Sequence, residues 1–156
     1  MPQHVAVLMG GWSAEREVSL ISGSACAEAL LIAGFDVTRI DIQQNVHEIM
    51  NQLKPKPDVI FNALHGRYGE DGCVQGLLNI LGIPYTHSGL LASALAMDKP
   101  AAKKLFEAAA IPVASHQIKG KQDFLSGNVM AAPYVVKPVN EGSSVGVHII
   151  SEGCNG

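Results

Sequence analysis

The chain has 156 residues, 47% apolar and 16% charged, with a formal net charge of -3; this is enough for one full core and part of another, and too apolar for a mainly disordered chain. No Lys/Arg run is present, which argues against nucleic acid as the main partner. No apolar stretch approaches a membrane span and the opening MPQHVAVLMG lacks a charged region ahead of an apolar core, so the expectation is a cytoplasmic protein without a membrane partner.

In chain order, the apolar run at residues 5–9 closes on Gly10-Gly11 and reads as a buried strand ending in a tight turn. Val18, Ile21, Ala25, Ala29 and Ile32 then recur at helical spacing, predicting an apolar helix face that ends at Gly34, with Ser13 as N-cap and Glu15 in the first turn. Residues 37–42 alternate as a second strand, 46–53 are helical, and the Lys-Pro-Lys-Pro at 54–57 breaks that helix. Val59-Ile60-Phe61 gives a third buried strand, and Val74, Leu77, Leu78 and Leu81 give another amphipathic helix before Gly82. Strands alternating with helices predict an α/β fold, a doubly wound parallel sheet with helices on both faces.

The pattern changes near residue 98. Asp98 caps a helix expected over 99–110, with Pro100 tolerated in its first turn. Residues 119–132 carry no assignable pattern. Residues 134–137 and 145–150 read as two strands joined by the glycine- and serine-containing loop 138–144.

In a doubly wound sheet, ligands bind beyond the carboxyl ends of the strands. Gly10-Gly11 and His65-Gly66 follow the first and third strands at that edge. The first turn is either purely structural or a seat for an anion at a helix N-terminus, and it lacks the GxGxxG spacing, which disfavours a nicotinamide oxidoreductase. Glu15 either serves the helix electrostatically or pairs with the ammonium of an amino-acid ligand, and Arg16 and Glu17 beside it offer a local charge network. The acidic Gly69-Glu70-Asp71-Gly72 reads as a turn and helix cap. Gly142-Ser143-Ser144-Val145-Gly146, with Lys137 just upstream, is either a surface hairpin or a loop able to hydrogen-bond phosphate, although it is not a Walker A motif. Cys26, Cys73 and Cys154 are odd in number and far apart, with no CxxC, so neither a disulfide framework nor a zinc site is indicated.

Four stretches in the same order, VAVLMGGWSAEREVSL, FNALHGRYGEDGCVQGLLNILGIPYTHSG, ASALAMDKPAAKKLFEAAAIPV and YVVKPVNEGSSVGV, resemble the D-alanine–D-alanine ligases of the ATP-grasp fold. The resemblance covers most of residues 4–150. It implies that residues 1–97 form a Rossmann-like N-terminal substrate-binding domain, and that 98–156 are the first, incomplete part of an ATP-grasp nucleotide-binding domain of α+β type. It further implies that Glu15 binds the amino group of the first D-alanine, with Val18 beside it and His65 lining the same subsite. Ser143 corresponds to a serine that hydrogen-bonds to Glu15, so that Glu15 and Ser143 take the catalytic positions. Lys99, Lys137 and Ser144 correspond to residues that hold ATP phosphates. The implied reaction passes the γ-phosphate of ATP to the carboxylate of one D-alanine and lets the amine of a second displace it, for peptidoglycan precursors.

Members of that family are roughly twice this long, and their Mg2+ or Mn2+ ligands lie in the portion beyond Gly156. The resemblance therefore implies no metal ligand in this chain, and that the chain alone is inactive or nearly so. A homodimer through the N-terminal region is expected by the same analogy. The nearest rival within the class is a D-alanine–D-serine or D-alanine–D-lactate ligase. Outside it stands a truncated, non-catalytic module that binds a small molecule or a partner.

Overall fold

The structure is a computed structural model that describes residues 3–127 and 129–153. The chain forms two compact units, Met1–Met97 and Asp98–Gly156.

The first unit is built on a parallel sheet of β1 (His4–Gly10), β2 (Asp36–Ile42) and β3 (Val59–Asn62), in the order β2-β1-β3. Val5 pairs with Val37 on one side and Val59 on the other. Beyond β3, Tyr85 makes a single parallel bridge to Ile60, a vestigial fourth strand held by Ile60 N to Pro84 O at 2.8 Å and Thr86 N to Ile60 O at 3.0 Å.

Central β1 is buried on both faces, which explains its unbroken apolar run. Ala6 and Leu8 join Ile40, Ile42 and Ile60 in one core, closed by α2 (Val46–Gln52) through Ile49 and by α3 (Cys73–Leu81) through Val74 and Leu78. Val5, Val7 and Met9 face the opposite way, toward α1 (Arg16–Ile32) and Ala27. Leu8, Ile42, Ile60 and Leu78 are fully buried, each worth about 1.5–3 kcal/mol relative to exposure. The α/β architecture with helices on both faces of a parallel sheet is thus as the sequence pattern predicts.

Helix α1 departs from that pattern. The stripe of Val18, Ile21, Ala25, Ala29 and Ile32 does not face the sheet: Val18, Ile21 and Ile32 are 56%, 73% and 86% exposed, and Ala25 and Ala29 are exposed as well. The buried face is Ser19, Gly23 and Ala27, flanked by half-buried Leu20 and Leu30. Small residues four apart share one side of a helix and let α1 lie close against β1; a Cβ on Gly23 would come within 2.5 Å of Met9 Cβ. Its N-terminus also differs. Glu15, not Ser13, holds the N-cap position and makes no side-chain cap bond, while Ser13 closes the turn before it, its Oγ accepting from Glu15 N at 3.1 Å.

Asn45 caps α2 by accepting from Glu48 N at 3.2 Å. At α3 the cap position is Gly72 in a left-handed conformation, and the Asp71 carboxylate accepts from Cys73 N at 3.1 Å. The helix α4 (Leu90–Met97) was not anticipated: its run of Leu and Ala carries no polar face to mark a period.

In the second unit Asp98 caps α5 (Lys99–Ala108), accepting from Ala101 N at 2.9 Å, with Pro100 in the first turn. The helix stops short of the expected residue 110, where φ is +57°. The unassigned stretch contains the short α6 (Lys121–Leu125). β4 (Tyr134–Val136) and β5 (His148–Ile150) form an antiparallel pair. β5 is shorter than expected because residues 142–147 fold into turns, with Val145 N donating to Gly142 O and Val147 N to Ser144 O, both at 3.3 Å. Cys154 lies outside the described residues. Among the described residues no helix is long and apolar enough to cross a membrane.

Candidate functional site

With β2 and β3 on opposite sides of β1, the chain leaves β1 and β3 over opposite faces of the sheet, and a crevice opens at their carboxyl ends. Two segments meet there: the turn from β1 into α1, and the loop from β3 to α3.

The first is held by Arg16. Its guanidinium pairs with both Asp41 oxygens at 2.8 and 2.7 Å and donates to Gly11 O at 2.9 Å, tying the ends of β2 and β1 together. The hydrogen bond to Asp41 raises the guanidinium pKa further above its ordinary value. The sequence offered Glu17 and Glu15 as partners for Arg16; β2 supplies the partner instead. Gly10, at φ +81°, leaves the space this pair occupies, since a Cβ there would meet Asp41 Oδ1 and Arg16 Nη1.

Hydroxyls join the two segments. Ser13 Oγ donates to His65 O at 2.8 Å. The fully buried Ser19 accepts from Gly10 N at 3.0 Å and donates to Ala63 O at 2.7 Å. Ser22 Oγ lies 3.1 Å from His65 Nε2. The β3–α3 loop is fixed from beneath by two buried amides, Asn62 Nδ2 and Gln75 Nε2 both donating to Gly69 O, at 3.0 and 2.8 Å. Gly66, at φ +68°, donates its N–H to Glu70 Oε2 at 2.7 Å.

Glu15 and His65 therefore come to one edge. The Glu15 carboxylate rests against the residue after His65: a Cβ on Gly66 would stand 2.8 Å from Glu15 Oε2. Val18 sits one turn into α1, and its carbonyl accepts from Ser22 Oγ at 2.9 Å. Adjoining this edge is a cavity of about 330 Å³, bordered by His65 and walled by Trp12, Ile42, Leu64, Tyr68 and Leu77. The Trp12 and Tyr68 rings lie 5.0 Å apart, and the Arg67 guanidinium stands 5.2 Å from the Tyr68 ring. On the same rim, partial withdrawal from water, followed by the hydrogen bond and charge of Asp71, pushes the Cys73 thiol pKa above the usual range although the residue is exposed.

The remaining sequence-nominated residues belong to the second unit. Lys99 Nζ donates to Val139 O at 3.2 Å and Glu141 O at 2.5 Å, which seats it on the loop that carries Ser143 and Ser144. Ser143 has φ +51° and Gly146 φ +64°; both serines and Lys137, just past β4, are exposed. Lys137 and the hydroxyls of Ser143 and Ser144 lie along one stretch of chain, and Lys99 is bonded to its backbone; these are donor types suited to an anion. Among the described residues no three His, Cys, Asp or Glu side chains gather as a metal-ligand set.

The sequence marks Ser13 only as a helix cap, and does not single out Ser19, Ser22, Asn62 and Gln75. The available signal was the spacing of Ser19, Ser22 and Gly23 on α1, hydroxyls and a glycine where an amphipathic helix would carry large apolar residues.

Residues 43–88 match the family described as D-ala D-ala ligase N-terminus. A D-alanine--D-alanine ligase of Parvibaculum lavamentivorans is 61% identical over 153 residues, which cover 98% of this chain and 49% of that protein. The solved D-alanine--D-alanine ligase of Bacillus anthracis complexed with ATP superposes with a TM-score of 0.76 at 33% identity, over 97% of this chain and 49% of that one. The VanG D-Ala:D-Ser ligase of Enterococcus faecalis gives 0.73 at 30% identity, over 97% and 56%. The chain thus spans about half the length of the curated relatives it matches, and it is similar to the N-terminal half of these ligases in both sequence and fold.

Proposed function

We propose that this chain supplies the first-substrate subsite and part of the nucleotide site of a D-alanine–D-alanine ligase. The observation that carries the reading is the placement of the Glu15 carboxylate against Gly66 beside His65, at the carboxyl edge of β1 and β3. A carboxylate on a helix-entry turn that makes no cap bond of its own is available to an ammonium group. Residues 1–97 act as the substrate-binding domain and 98–156 as the beginning of the ATP-grasp domain. The similarity to ligases over nearly the whole chain favours this reading over a non-catalytic binding module.

Glu15 receives the ammonium of the first D-alanine and orients its carboxylate, with Val18 and His65 closing the subsite. Ser143 takes the other catalytic position, on the loop that follows β4. Lys99, Lys137 and Ser144 hold phosphate oxygens, where neutralising charge and fixing geometry matter more than covalent chemistry. ATP, when bound, supplies the phosphoryl group that activates the D-alanine carboxylate for attack by the second amine. Among the described residues no cluster of His, Cys, Asp or Glu gathers to hold the Mg2+ or Mn2+ that the resemblance implies. D-alanine rather than D-serine as second substrate follows the 61% identical relative. The reading carries with it a cytoplasmic setting, a role in peptidoglycan precursor synthesis, little activity from these 156 residues by themselves, and a homodimer, for which the exposed apolar face of α1 is available.

Calorimetry with D-alanine on the chain and on Glu15→Gln tests it. Loss of the charged hydrogen bond should cost about 1.5–3 kcal/mol of binding free energy. Equal affinity for both forms removes Glu15 from the site.

A further inference from the structure

Three neighbours crowd one hydroxyl on the inner side of α1. Ser22 Oγ lies 2.9 Å from Val18 O, 3.3 Å from Ser19 O and 3.1 Å from His65 Nε2. A hydroxyl has one proton to give and two lone pairs to receive with, and a carbonyl oxygen can only accept. Were the proton directed at His65, Ser22 Oγ would face Val18 O, its shorter contact, lone pair against lone pair. The proton therefore goes to the carbonyls of its own helix, the back-bond open to serine in a helix, and Ser22 can meet Nε2 only as an acceptor.

We infer that Ser22 is a positioning residue that fixes His65 as the Nε2–H tautomer and so leaves Nδ1 as a hydrogen-bond acceptor at the crevice. The second ring nitrogen of a histidine takes the character that the first one's partner dictates. Among the described residues Nδ1 has no hydrogen-bond partner, whereas the His65 backbone is clamped by Ser13. With the Glu15 carboxylate against Gly66, the Glu15–His65 corner of the site then offers two acceptors side by side. That matches a ligand group that is all donor, a primary ammonium, and it discriminates against a hydroxyl or carboxylate in the same place. The link to D-alanine rests on the function proposed above; the tautomer assignment does not.

Long-range ¹H–¹⁵N correlation spectra of the imidazoles identify the tautomer, read at a pH where His65 is neutral, for the chain as it stands, Ser22→Ala and Ser22→Thr. The expected result is a protonated Nε2 in the parent chain, a mixed or Nδ1–H population in Ser22→Ala, and recovery in Ser22→Thr, whose hydroxyl keeps the same helix back-bond. D-alanine affinity should fall several-fold in Ser22→Ala and return in Ser22→Thr, with Ser24→Ala, on the same helix, unchanged. A protonated Nδ1 in the parent chain, or an Nε2–H pattern undisturbed in Ser22→Ala, overturns the inference. Absence of D-alanine binding by the parent chain, with the tautomer pattern as expected, overturns the proposed function and leaves the tautomer assignment standing.

Discussion

Gly23 offers a direct test of how α1 holds the site. Alanine in place of a glycine inside a helix ordinarily gains about 0.5–1 kcal/mol. Here the new methyl would stand 2.5 Å from Met9 Cβ and 3.4 Å from Ala63 Cβ, against an ordinary carbon contact of about 3.5–4.0 Å. Met9 Cβ is the first atom off the central strand and cannot swing aside, so the helix itself must move. Overpacking of this kind costs about 1–3 kcal/mol. Ser19 sits one turn earlier on the same buried face, and its bonds to Gly10 N and Ala63 O would stretch with the helix, each forfeiting about 0.5–1.5 kcal/mol. Set against the helix gain, the balance is a net destabilisation of about 1–5 kcal/mol by Gly23→Ala. Gly76 in α3 is the matched control, since a Cβ there would meet only Leu90 Cδ1, at 3.1 Å. That atom ends a flexible side chain, so Gly76→Ala should be neutral or stabilising by up to about 1 kcal/mol. Urea titration followed by Trp12 fluorescence, the single tryptophan, reads the unit in question, with the midpoint reporting stability at constant slope. An upward midpoint shift in Gly23→Ala equal to that in Gly76→Ala would refute the close approach of α1 to β1.

Cys73 should be alkylated more slowly at pH 8 in the folded chain than in the urea-unfolded chain, because its raised pKa keeps the thiolate scarce. The sign for stability follows: this group favours folding below the ordinary thiol pKa of about 8.5 and loses that contribution as pH climbs through the higher folded value. Peptide mapping after timed alkylation gives the rates, and equal rates in both states would count against the shift. Ile21→Lys, on the outward stripe of α1 and away from Glu15, should weaken self-association while changing folding stability by no more than about 0.5 kcal/mol, as expected for a side chain 73% exposed. Sedimentation velocity decides it, and a parent chain that stays monomeric at all concentrations would dispose of the dimer.

The parallel sheet could be read from the sequence because β1 is buried on both faces and β3 buries one face and half-buries the other, and such covering on two sides leaves an unbroken apolar run. The edge at which Glu15 and His65 meet followed from the same reading, since the loops that leave the carboxyl ends of adjacent parallel strands emerge at one edge. The face of α1 could not be read this way. Its large residues, Val18, Ile21 and Ile32, are periodic and apolar, as a core face would be, yet they point outward. The buried face is marked instead by smallness: Ser19, Gly23 and Ala27 score poorly on any hydropathy pattern while permitting the closest approach to the strand. One physical cause thus accounts for both the misread helix face and the unforeseen hydroxyls. A helix pressed tightly on a sheet must bury small residues, and where it reaches the carboxyl edge those residues can be serines, because the ends of β1 and β3 expose an N–H at Gly10 and a C=O at Ala63 that need partners. Ser19 answers that need in the core, and Ser22, one position around the helix, extends the same device to His65.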